Sequence, residues 1–253
     1  MHLKDVLFFP IGCSAACMYC SQLLQQSGFS VTDHPTPEVT HLLLDVPGFQ
    51  SNGLLRNGED IRPLLRMLPP DITIIGGRLQ QAALSNYQTW DLLSDEEYLA
   101  RNAAITAECA LQIAMEQLPV ILASCPVLIL GWGRIGKCLG QLLQRIGATV
   151  TIAARKASDL AMAQALGYQT VEIEKVQDVL QSQRLVFNTV PQLLLTEADT
   201  TLKSCAFIDL ASQPGMLGDS VIQALELPGK YAPESSGKLI ADTILKQIKE
   251  GTP

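Results

Sequence analysis

The run Val127-Leu128-Ile129-Leu130-Gly131-Trp132-Gly133-Arg134-Ile135-Gly136 decides the fold of this chain. Four consecutive apolar residues predict a strand buried on both faces, as strands of a parallel sheet are. The three glycines that follow have the spacing G-x-G-x-x-G, and residues Ile135 to Ile146 continue with helical periodicity up to Gly147. By themselves the glycines are a weak signal. Between a strand and a helix they acquire a mechanism. Gly131 permits the tight turn, Gly133 lets a pyrophosphate reach the backbone, and Gly136 lets the helix lie close on the strand. Trp132, Arg134 and Ile135 complete the loop, and the helix N-terminus offers free N–H groups to phosphates.

Downstream, the pattern of short apolar runs and helices repeats. Thr149 to Ala153 reads as a second strand, Ser158 to Leu166 as a helix ended by Gly167, and Arg184 to Asn188 and Ala206 to Leu210 as further strands. Ser235 to Lys249 reads as a closing helix. This is the layout of a dinucleotide-binding Rossmann domain; the alternative is a Rossmann-like domain that has lost its nucleotide. The end of the second strand reads out the cofactor. An NAD site places Asp or Glu there, whereas this chain has Ala153-Ala154-Arg155-Lys156. A cationic pair suits a 2′-phosphate, which arginine can clamp with two bonds, so NADP(H) is the expected cofactor. Two more strand ends, Asn188-Thr189-Val190-Pro191 and Asp209-Leu210-Ala211, are expected to face the nicotinamide half; the same residue types also make turns.

Upstream, Val6 to Phe9, His41 to Val46 and Asp71 to Ile75 read as buried strands, with helices over Ser14 to Gln26 and Glu59 to Leu68. Ser94-Asp95-Glu96-Glu97 then opens a long helix that runs to about Leu118, with Ser94 as the capping residue. The expected fold is therefore α/β, with two Rossmann-like lobes built on parallel sheets. Residues 1–93 form a shortened N-terminal lobe, 94–125 a connecting helix, and 126–253 the NAD(P)-binding domain with its C-terminal helix.

The 253 residues carry a formal net charge of −7, which disfavours nucleic acid or an anionic membrane as a partner, since both select basic surfaces. No run approaches the length of a membrane span, the start lacks a cleavable signal pattern, and seven cysteines suit a reducing compartment. A cytoplasmic protein is expected. Cys13, Cys17 and Cys20 have the spacing of a loop that holds a [4Fe–4S] cluster. However, too little chain precedes the glycine loop for the barrel such clusters occupy, and i, i+4, i+7 is one helix face. Core packing is the preferred reading, with no metal assigned. His2, His34 and His41 lie near no nucleophile in the sequence and are given no role.

Together these segments resemble the A-component family of dipicolinate synthase. The resemblance rests on the glycine loop, Ala153-Ala154-Arg155, Phe187 to Pro191, Asp209 to Gly215, Leu227 to Pro233 and Gly237 to Ala241, and covers roughly residues 90–253. Asn102, Thr106 and Glu108 look like the family's asparagine and threonine-x-glutamate. The resemblance implies two lobes arranged as in D-2-hydroxyacid dehydrogenases, and an NADP-linked two-electron oxidation that aromatises a dihydro- or hydroxytetrahydrodipicolinate ring during sporulation. It also implies a small dicarboxylate substrate and a flavoprotein-like B subunit; a homo-oligomer is expected. Glu108, inside a largely apolar helix, is the candidate acid–base group if partial burial raises its pKa. Departures fall outside the cofactor loop. The stretch between Gly215 and Leu227 is shorter than in the family, and Met216 and Glu226 stand where it has glycine. The turn Gly12 to Ala16 lacks the family's Asp and Arg. These departures leave two alternatives: a nucleotide-binding regulatory or partner subunit without turnover, or another 2-hydroxyacid-dehydrogenase-like oxidoreductase.

Overall fold

The computed structural model describes residues 6–202 and 204–251, so His2 lies outside the described residues. The chain divides into two units: Met1–Asn102 with Pro228–Pro253, and Ala103–Leu227.

In the first unit, strands β1 (Leu7–Pro10), β2 (Ser30–Val31), β3 (His41–Leu43), β4 (Thr73–Gly76) and β5 (Gln88–Asp91) form one sheet in the order β2-β1-β3-β4-β5. Every pairing is parallel, so both faces must be covered. Helices α1 (Ala15–Gln26) and α2 (Ile61–Leu65) contribute to that cover, with Cys17, Cys20 and Leu24 of α1 and Ile61 and Leu65 of α2 turned inward. Helix α1 is capped by Ser14, whose hydroxyl accepts from the Cys17 N–H at 3.2 Å. Cys13 precedes the cap and is exposed, so only Cys17 and Cys20 share the buried helix face. Among the described residues no cluster of His, Cys, Asp or Glu is placed to hold a metal ion.

Helix α3 (Glu96–Gln117) begins one residue later than the capping serine requires. Leu92–Ser94 forms a 3₁₀ turn, and Asp95 takes the cap, accepting from the Tyr98 N–H at 2.8 Å. The helix runs unbroken across the boundary between the units, which falls between Asn102 and Ala103.

The second unit contains β6 (Pro126–Leu130), α4 (Arg134–Ile146), β7 (Thr149–Ala154), α5 (Ala157–Ala165), β8 (Gln169–Glu172), α6 (Gln177–Leu180), β9 (Leu185–Asn188), β10 (Ala206–Asp209) and β11 (Val221–Gln223). Its sheet has the order β11-β10-β9-β6-β7-β8, again wholly parallel. The strand order reverses between β6 and β9, and a doubly wound sheet opens a crevice beyond the carboxyl ends at that point. Helix α4 lays Gly136, Leu139, Gly140 and Leu143 on the sheet and ends at Gly147, whose φ of 90° supplies the left-handed cap.

After the short helix α7 (Leu227–Tyr231), helix α8 (Pro233–Glu250) returns to the first unit. The expected grouping placed this helix with residues 126–253. Its packing on the first unit is close: Gly237 lies against α1 so that a Cβ there would run into the Ala16 carbonyl and lie 3.0 Å from Tyr19 Cβ. Ion pairs from Lys246 to Glu97 (2.6 Å) and from Arg101 to Asp242 (3.4 Å) tie α8 to the start of α3.

Candidate dinucleotide-binding site

The turn after β6 is held from two sides. The Gly131 N–H donates to the Ala153 carbonyl at 2.9 Å, and the Thr189 N–H and Oγ1 both donate to the Leu130 carbonyl at 2.9 Å. Gly131 adopts φ 103°, a conformation that side-chain-bearing residues avoid. Gly133 is the N-cap of α4 and has no side chain to bond the first turn; a Cβ added there meets nothing within 4 Å. A Cβ on Gly136 would strike the Gly131 carbonyl oxygen. The result is a helix N-terminus with uncapped N–H groups beneath open space, which fits a pyrophosphate. The Trp132 side chain points elsewhere. It is buried, with its ring edge-on to Tyr168 at 5.3 Å and its indole N–H without a partner. Trp132 therefore offers the loop its backbone alone.

Arg155 follows β7 and lines a cavity of about 250 Å³ together with Ile173, Glu174, Gln177, Val190 and Leu193. Lys156 is not part of this lining; it forms the N-cap of α5. Glu174 escaped the sequence reading because it reaches the cavity through the pairing of β8 with β7, and β8 is a polar edge strand without a clear apolar signature.

Asn188 and Asp209, expected to face the nicotinamide half, stand at the ends of β9 and β10. Both are fully buried. Asn188 Nδ2 donates to Asp209 Oδ1 at 2.8 Å and to the Val190 carbonyl at 3.0 Å, and its Oδ1 accepts from the Val190 N–H. Asp209 also accepts from the N–H groups of Ala211, Gly215 and Met216, at 3.0, 2.7 and 3.0 Å. These two residues shape the loops beyond β9 and β10. Thr189 and Val190 are half-buried and Pro191 is exposed, while Leu210 and Ala211 are buried.

The three connector residues all lie on α3: Asn102 is half-buried, Thr106, one turn further on, is buried, and Glu108 is exposed. The burial expected of Glu108 fails because Ala103, Ala107, Ala110 and Ala114 form the inward stripe of α3. Ala104, Glu108, Gln112 and Met115 form the outward one.

The first unit holds a carboxylate that the sequence did not single out. Asp45, just beyond β3, is buried and accepts from the N–H groups of Cys13 and Ser14 at 2.9 and 3.0 Å, and from the Ser14 hydroxyl. It also lies 3.4 Å from Cys13 Sγ; burial, then the Asp45 charge, pushes the Cys13 thiol pKa up. The Cys13 and Ser14 N–H groups ahead of α1 are thus satisfied from within the chain.

The sheet order and the glycine loop together define a Rossmann-type α/β fold, the framework shared by many dehydrogenases. Among solved structures, the A component of dipicolinate synthase from Bacillus halodurans has a TM-score of 0.85 at 20% identity, over 98% of this chain and 99% of its own. Its counterpart from Bacillus subtilis gives 0.79 at 19%, over 98% and 97%. A Salmonella D-lactate dehydrogenase gives 0.64 at 13%, over 98% and 97%. These likenesses establish the fold over nearly the whole chain. No protein-family model matches the sequence, and no curated protein matches it. Among the described residues no helix is long and apolar enough to cross a membrane.

Proposed function

We propose that this chain is an NADP(H)-dependent oxidoreductase like the A component of dipicolinate synthase, which carries out the two-electron oxidation of a dihydro- or hydroxytetrahydrodipicolinate ring. The observation that carries this reading is the pairing of an open, uncapped glycine loop with an Arg155-lined cavity at the end of the neighbouring strand. The bound nicotinamide would supply the two-electron acceptor. The chain's part is to bind and orient. The N–H groups at the start of α4 hold the pyrophosphate, Arg155 holds the 2′-phosphate, and the Asn188–Asp209 pair keeps the flanking loops in shape. On this reading the protein works in the cytoplasm as a homo-oligomer, on a small dicarboxylate and beside a flavoprotein-like B subunit, in sporulation.

Single-turnover oxidation of dihydrodipicolinate by NADP⁺, with and without a B subunit, tests the proposal through the appearance of NADPH. Absence of NADPH in both arms refutes it. The second reading, a nucleotide-binding subunit without turnover, draws on Asp45 being engaged by the turn before α1 and on the exposure of Glu108. It predicts NADPH binding with no oxidation in either arm.

A further inference from the structure

We propose that Glu174 is a specificity determinant of the cofactor site: its carboxylate opposes the 2′-phosphate that Arg155 attracts, so the preference between phosphorylated and unphosphorylated dinucleotide is set by the pair. The inference rests on the proposed dinucleotide site.

Strands β7 and β8 run parallel with Ala154 opposite Glu172, so the chain leaves both strands at the same edge of the sheet. Arg155 is the first residue beyond β7, and Glu174 lies in the 3₁₀ turn Ile173–Lys175 beyond β8. Both line the same cavity. Ile173 and Val176 are buried on either side of Glu174 and anchor its backbone at the cavity wall. The nearest lysine in sequence, Lys175, makes its ion pair with Glu172 at 2.8 Å and does not line the cavity. The other polar groups on the wall, Gln177 and Gln192, are uncharged. One cation and one anion therefore face any phosphate entering here. A dianion held by Arg155 meets the repulsion of Glu174, whereas a ribose hydroxyl does not. For exposed charges several ångströms apart the penalty is about three- to tenfold in affinity at low salt, and it fades as salt screens it.

The test is calorimetric titration of NADPH and of NADH into the wild type, Glu174→Gln and Glu174→Lys, at low and at high ionic strength. Both substitutions fall at an exposed position and are expected to leave stability nearly unchanged. Glu174→Gln is expected to tighten NADPH by about three- to tenfold at low salt, with a smaller gain at high salt and less than about a twofold change for NADH. Glu174→Lys is expected to tighten NADPH further. An unchanged NADPH-to-NADH ratio in both variants overturns the inference while leaving the dinucleotide site standing. Weaker NADH binding alone also overturns it and assigns the carboxylate to the ribose hydroxyls. A wild type that binds neither nucleotide overturns the proposed function itself, and this inference with it.

Discussion

The Asn188 amide donates to Asp209 Oδ1 at 2.8 Å, with both side chains sealed from solvent where β9 and β10 end. Asp209 collects three backbone N–H groups in addition, from the loop that runs through Ala211 to Met216. Its carboxylate is the organising centre of that loop. Removing it strands several buried donors, each carrying a desolvation cost.

Asp209→Ala is therefore expected to destabilise the protein by about 3 kcal/mol or more, and Asn188→Ala by about 1–2 kcal/mol. Urea unfolding measures both. If Asp209→Ala proves as stable as wild type, the loop does not depend on this pair.

The glycine loop separates folding from binding. Gly133→Ala places its methyl in open space and is expected to leave stability within about 0.5 kcal/mol while weakening NADPH binding about tenfold or more. Gly136→Ala drives its methyl into the Gly131 carbonyl and is expected to cost both stability and binding. Thermal melts with and without NADPH distinguish the two. A Gly133→Ala protein that binds normally would place the pyrophosphate elsewhere.

His41 gives the first unit a pH dependence. It is buried between Phe8 and Trp90, with Nδ1 2.8 Å from the Thr40 hydroxyl, and burial pushes its pKa down to about 4. Below the unfolded value of about 6.5 the unfolded chain gains a proton that the folded chain refuses. Stability contributed by the neutral ring is complete above about pH 6.5 and falls by about 3 kcal/mol as the pH approaches 4. The slope should shrink in His41→Phe. Equal slopes in both proteins over that window would rule out His41 as the source.

Gly237→Leu is expected to cost about 3 kcal/mol or more by forcing α8 away from α1, since the nearest obstacles are α1 backbone atoms that cannot swing aside. Denaturant unfolding of the full chain reads this directly. A stability loss below about 0.5 kcal/mol would show that the close approach is dispensable.

The strands β6, β7, β9 and β10 were legible because they are continuous apolar runs in the buried part of the sheet. β5 and β8 lie at sheet edges and β2 is two residues long, so Gln88-Thr89-Trp90-Asp91 and Gln169-Thr170-Val171-Glu172 carry too few apolar residues to announce themselves. The glycine loop was legible because Gly131 and Gly136 answer to constraints within the loop itself, a positive φ and a close backbone contact. The membership of α8 was not, because it depends on Gly237 meeting Ala16 across more than two hundred residues of chain. Asn188 and Asp209 read equally well as ligand contacts or turn-formers, and only burial separates those uses. Glu108 misled because its neighbours in sequence are apolar while its own face of α3 is turned to solvent.

The most direct test of the account is a titration of NADPH against NADH into the native protein, repeated with Arg155→Asp. The account predicts that NADPH binds the native protein about tenfold more tightly than NADH, and that Arg155→Asp removes this preference while sparing NADH. Tighter binding of NADH to the native protein, or a preference for NADPH that survives Arg155→Asp, would contradict it.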